Sequence, residues 1–156
     1  MNYINNVRVI LFILFVVAVA LRFYLLPENL FFGPEQGIDF AVIKNIVIDH
    51  KLTLIGSKTD ISGIFHGPLY YYLATVPFVI SDGNPVFISL FLIVLNSVSV
   101  IFIYVLGKEL FNKRVGLIAA CLFTVSFSAI MYARWLSNPP LSIPLVCLFF
   151  LFLFTS

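Results

Sequence analysis

Apolar residues run along this chain in long blocks with short polar breaks, not in the period of a half-buried helix or strand. Three blocks are Val7 to Leu26, Pro85 to Leu106 and Val115 to Ala133, and a fourth starts at Pro139 or Pro140 and reaches Phe154. Blocks of about 18 or more apolar residues read as transmembrane helices. The pattern therefore predicts an all-α polytopic membrane protein with about four spans, near 7–26, 85–106, 115–133 and 139–155, and one large loop over 27–84. The first block is too long for a signal-peptide core, and bulky Arg22-Phe23-Tyr24 stands where cleavage needs small residues, so it reads as an uncleaved span. The apolar close at Leu151-Phe-Leu-Phe-Thr-Ser carries no polar tail and reads as a cut within a longer polypeptide.

The large loop has its own pattern. Pro34 opens a helical segment whose apolar side is Ile38, Val42, Ile43, Ile46 and Val47, and proline suits a first helical position. On that helix Glu35 and Asp39 stand four residues apart and share a face. Leu69 to Ile80 is apolar but too short to cross about 30 Å of hydrocarbon as a helix. It predicts a second interfacial helix, with Tyr70, Tyr71 and Tyr72 at headgroup level.

Composition strengthens the membrane reading: 62% of residues are hydrophobic and 10% charged, and the mean hydropathy is +1.10. Charge then sets orientation. The turn Gly107 to Arg114 holds Lys108, Lys113 and Arg114 against Glu109, which marks it as cytoplasmic. Counting outward, the N-terminus with Arg8 is cytoplasmic, while the 27–84 loop and the turn Arg134 to Asn138 are extracytoplasmic. The basic residues are scattered and form no patch interleaved with aromatics, which argues against a nucleic-acid partner. Cys121 and Cys147 lie in apolar runs and read as packing residues, with no metal or disulfide spacing.

Six of the seven acids fall between Glu28 and Asp82, beside a bilayer where a carboxylate is costly to desolvate. Glu35 and Asp39 are either solvated residues of a first helical turn, favoured by its dipole, or a general base or cation ligand. His66 is either an ordinary loop residue or a phosphate or carboxylate partner. His50 belongs to the end of the first loop helix. Arg134 is either a snorkelling anchor or a guanidinium fork for an anion. By the span count Glu35, Asp39, His66, Arg134 and Asn138 share one membrane face, where they could serve a lipid-linked phosphate.

The order of these blocks carries a resemblance. A first span is followed by GPEQGIDFAVIKNIV (33–47), GIFHGPLYYYLATVPF (63–78), the basic KELFNKR turn (108–114) and YARWLSNPPLSIPL (132–145). The chain resembles the N-terminal part of GT-C class membrane glycosyltransferases, nearest the family-39-like branch related to protein O-mannosyltransferases and the lipid A aminoarabinose transferase. The resemblance implies transfer of a sugar from a polyprenyl-phosphate donor, with inversion, to an acceptor lipid, protein or glycan outside a bacterial or archaeal cell membrane. Glu35 stands where that family has its first-loop catalytic aspartate, and Asp39 matches a second acid. His66 matches a polar or basic phosphate contact ahead of Tyr70 and Tyr71, and Arg134 and Asn138 match an arginine and an Asn-Pro of the second outer loop. A divalent cation held by the acids is compatible with this scheme.

Three positions depart from the family pattern: Glu35 replaces aspartate, Ile38 an arginine and Ser137 a tryptophan. A base displaced by about 1 Å costs a large factor in rate, so either Asp39 takes the main role or activity is altered. Two other classes compete with the transferase. One is a non-catalytic remnant or assembly partner. The other is a transporter, opposed by span interiors without ionisable groups, where Asn96, Ser97, Ser99 and Thr124 are the most polar residues.

Overall fold

The computed structural model describes residues 2–155, and the chain's last residue, Ser156, lies outside them. The described residues form an all-α membrane protein without strands. Helix α1 (Asn2–Phe23) gives way to a short α2 (Leu26–Asn29), so the first span ends earlier than the hydropathy block. Helix α3 (Pro34–Ile48) starts at Pro34 as expected, with the Gly33 amide donating to Gln36 Oε1 at 3.0 Å. His50, just beyond it, adopts a left-handed backbone with φ 53°. Helix α4 (Leu69–Ile80) occupies the short apolar segment.

Helices α5 (Pro85–Ser97) and α6 (Ser99–Leu110) run together as one apolar stretch, Pro85–Leu110. Asn84 caps its start, accepting from the Val86 and Phe87 amides. The Asn112 side chain likewise caps α7 (Lys113–Val125). Gly107 and Gly116 let this hairpin close, since a Cβ on Gly107 would stand 2.8 Å from the Gly116 Cα. The third block is not one straight helix. At Ser126, whose backbone is extended, α7 bends by 61° into α8 (Phe127–Ala133). Helix α9 (Pro139–Thr155) closes the described chain.

Asn6–Phe23 and Pro85–Leu110 are long and apolar enough to cross a membrane, and the bent pair adds a third span if it crosses as one. The 17 residues of α9 reach about 26 Å at 1.5 Å per residue, just short of the hydrocarbon thickness.

Two buried clusters hold these helices. Val7, Ala18, Val100, Tyr104 and Ala120 join α1, α6 and α7. Ile43, Ile46, Tyr70, Tyr71, Ala74, Ile88, Leu92, Leu136 and Leu141 join α3, α4 and α5 to the α8–α9 region. The second cluster corrects the tyrosine reading. Tyr70 and Tyr71 are buried and Tyr72 donates to Thr53 O at 2.6 Å. Packing of α4 against α3 and α5 turns the rings into the protein, away from a headgroup layer. The span interiors need a second correction: Arg22, in the last turn of α1, is wholly buried.

Candidate active site

The 27–84 segment and the turn between α8 and α9 meet around one open cavity of about 1480 Å³. Helix α3 supplies Glu35, Ile38, Asp39 and Val42, and α4 supplies Tyr71. The loop between α3 and α4 supplies Ile55 to Asp60, Phe65 and His66, and the far wall is Tyr132, Trp135 and Ser137 to Pro139.

The loop contribution is a small hairpin. The Gly56 amide donates to His66 O and the His66 amide to Ser57 O, both at 2.9 Å, with a single antiparallel bridge between Lys58 and Phe65. Gly56 permits this approach, because a Cβ there would stand 2.6 Å from the carbonyl oxygens of both His66 and Gly67. Gly56→Ala should push the strands apart at a cost of about 1–3 kcal/mol, in the range of overpacking. Proteolysis should then cut at 57–65 faster than in the parent chain, and an unchanged cleavage rate would contradict the hairpin's dependence on Gly56.

The two acids differ sharply in setting. Asp39 is 1% exposed. Its Oδ1 accepts from the Tyr71 hydroxyl at 2.8 Å and its Oδ2 from the Ser137 hydroxyl at 2.9 Å. Burial pushes its carboxyl above the usual range, and Tyr71, Ser137 and the charge of His66 draw it part of the way back. Tyr71 is pushed up as well, by burial first and then by its bond to Asp39, so its hydroxyl stays a donor. Glu35, one turn earlier, is exposed at the cavity. Its Oε1 lies 3.5 Å from Ser137 Oγ, whose one proton is better placed for Asp39. The i, i+4 spacing thus yields one buried carboxylate, each of whose oxygens accepts a hydroxyl, and one open carboxylate.

Among the other expected site residues, His66 and Asn138 reach the cavity, and Asn138 Nδ2 donates to Ser57 Oγ at 2.9 Å, joining turn to hairpin. Tyr70 does not reach it: the ring is 2% exposed within the α3–α4–α5 cluster. Arg134 is turned away too. Its Nε donates to Arg22 O at 2.9 Å, and its Nη2 to Leu21 O at 2.9 Å and Tyr24 O at 2.8 Å. The carbonyls at the end of α1 have no intrahelical partners, and a guanidinium fork satisfies several of them at once. Among the described residues no group of three or more His, Cys, Asp or Glu could hold a metal ion.

The structure also adds residues. Lys58 lines the cavity together with His66 and makes no ion pair among the described residues. Ser137 is the donor that orders Asp39, and Tyr132 and Trp135 form an exposed aromatic wall. The polar turn within RWLSNPP was the available signal for Ser137. Nothing in the pattern around Lys58 set it apart from other loop lysines.

No curated protein and no solved structure matches this chain. The family model for dolichyl-phosphate-mannose-protein mannosyltransferase matches residues 65–156, which takes in His66, Tyr71, Ser137 and Asn138 and leaves both acids of α3 outside. That stretch is more than half of the chain, together with the all-α membrane architecture around the cavity, and the chain belongs to this GT-C type mannosyltransferase family.

Proposed function

We propose that the cavity transfers a sugar from a polyprenyl-phosphate donor to an acceptor hydroxyl on the extracytoplasmic face, with Glu35 as the base. The observation that carries this reading is the contrast within α3, where Asp39 is buried with each oxygen already accepting a hydroxyl and Glu35 is exposed at the cavity. A base must reach the proton it removes, and geometry comes before pKa in choosing it. Glu35 takes the acceptor's proton as the acceptor oxygen attacks the anomeric carbon. The bond from that carbon to the phosphate oxygen breaks, and polyprenyl phosphate leaves with the electron pair. A single displacement inverts the anomeric centre.

Charge then grows on the departing phosphate, and cationic or amide donors near it lower the barrier. Lys58, His66 and Asn138 are the cavity groups suited to that task. Arg134, committed to the end of α1, is better suited to holding the fold. The basic Lys108, Lys113 and Arg114, none of which lines the cavity, read as a cytoplasmic turn and so support an outward-facing site in an integral membrane protein with four spans and a cytoplasmic N-terminus.

The reading is tested by supplying membranes containing the protein with labelled polyprenyl-phosphate mannose and following label into the acceptor fraction, with the product's anomeric configuration compared to the donor's. Retention of configuration would refute the single displacement. Removing Lys58 and His66 together should raise the donor KM roughly tenfold or more, because hydrogen bonds to charged groups are worth about 1.5–3 kcal/mol. An unaltered KM in that pair would take the phosphate away from the hairpin.

A further inference from the structure

Arg22 is wholly buried at the end of α1, and no carboxylate among the described residues pairs with it. Its donors go elsewhere: Nε to Asn96 Oδ1 at 3.2 Å, Nη1 to Ala18 O at 3.1 Å and Thr124 O at 3.4 Å, Nη2 to Phe123 O at 3.5 Å. The guanidinium also lies 5.1 Å from the centroid of the Phe123 ring. Phe123 and Thr124 sit just before the bend at Ser126, where the α7 ladder ends and Phe123 O keeps a long bond from the Ser126 amide at 3.4 Å. A planar fork with five donors suits such a cluster of carbonyls, whereas an ammonium does not.

The network extends past the bend. Asn96, itself fully buried, uses Oδ1 for Arg22 and donates its Nδ2 to Pro140 O at 2.9 Å, in the first turn of α9. Arg134, at the other end of the α8–α9 turn, donates to the main-chain oxygen of Arg22 itself. Both ends of the turn Arg134 to Pro140 are therefore tied to one residue of α1. Between those ties stand Trp135, Ser137 and Asn138, which line the cavity, with Ser137 donating to Asp39. A residue that only capped α7 would need no link through Asn96 to Pro140.

We propose that Arg22, acting with Asn96, is a positioning residue that sets the α8–α9 turn against the acids of α3. It touches no cavity surface and acts through the turn. Its consequence for catalysis rests on the function proposed above, while its hold on the turn does not.

Trp135 is the chain's single tryptophan and belongs to this turn, so its fluorescence reports the turn's placement without any substrate. In the 156-residue chain in lipid nanodiscs, Arg22→Gln and Asn96→Leu should each red-shift Trp135 emission and raise its quenching by acrylamide. Helical circular dichroism and elution volume should stay unchanged. The double variant should move Trp135 no further than either single one, since both break the same link, and Arg22→Lys should fall between. Unchanged emission and quenching in Arg22→Gln, or fully additive effects in the double variant, would overturn the proposal. Should Arg22→Gln not fold, Asn96→Leu carries the test, and an unmoved Trp135 there is equally fatal. Displaced Trp135 with undiminished sugar transfer would leave the positioning standing and would refute the catalytic use of the turn instead.

Discussion

Glu35→Gln should lower the rate of sugar transfer about 10²–10⁴-fold, the range contributed by a positioned general base. Glutamine keeps the length and shape of the side chain, so the cavity wall and the weak approach to Ser137 are preserved while proton acceptance is lost. The donor KM should stay close to its starting value, because the proposed phosphate contacts lie on the hairpin and the α8–α9 turn. Glu35→Asp gives a second, independent reading. It draws the carboxylate back by one methylene, and a misplacement of about 1 Å costs about 10²-fold. A glutamine variant that kept most of its transfer rate would remove Glu35 from the base role. A variant whose loss lay entirely in KM would turn it into a binding residue.

The alternation of apolar blocks with polar breaks was enough to place most of the helices, because burial in lipid asks for uniform apolarity that a single chain displays openly. Pro34 marked a helix start for a local reason that a sequence shows directly. The bend at Ser126 was hidden, because carbonyls beside it are taken up by Arg22, from a different helix 101 to 102 residues earlier in the chain. The site divides the same way. The acids of α3 were legible from their spacing on one helix, and their joining with His66 and Asn138 followed the span count. The different fates of Glu35 and Asp39 were not legible, because they depend on Tyr71 and Ser137, brought in from α4 and from the turn before α9. Arg134 stayed open between two readings for a related reason. A guanidinium at the end of a span serves a phosphate or a row of carbonyls equally well, and the nearby end of α1 decides between them.

Asp39→Asn should separate stability from activity. The wild-type carboxylate is buried, and burial raises its pKa from the usual 3.8 even against two hydroxyl donors. Between 3.8 and that raised value the folded chain holds a proton that the unfolded chain has released. Stability should therefore be fullest below this window and should fall as pH rises through it. Asparagine has nearly the same shape, cannot ionise, and can still accept from one of the two hydroxyls. Melting curves of the asparagine variant should lack that acid-side slope, and its Tm at neutral pH should match or exceed that of the parent. Transfer should nonetheless fall about 10-fold or more, because the amide turns one acceptor into a donor facing Tyr71 or Ser137 and loosens the hydroxyl beside Glu35. A charge kept at a cost in stability where a neutral amide would fit is the signature of a group retained for the site. If Asp39→Asn melted well below the parent at neutral pH and transferred sugar at full rate, the carboxylate would be a structural anchor, and the paired acids of α3 would have no joint role in the reaction.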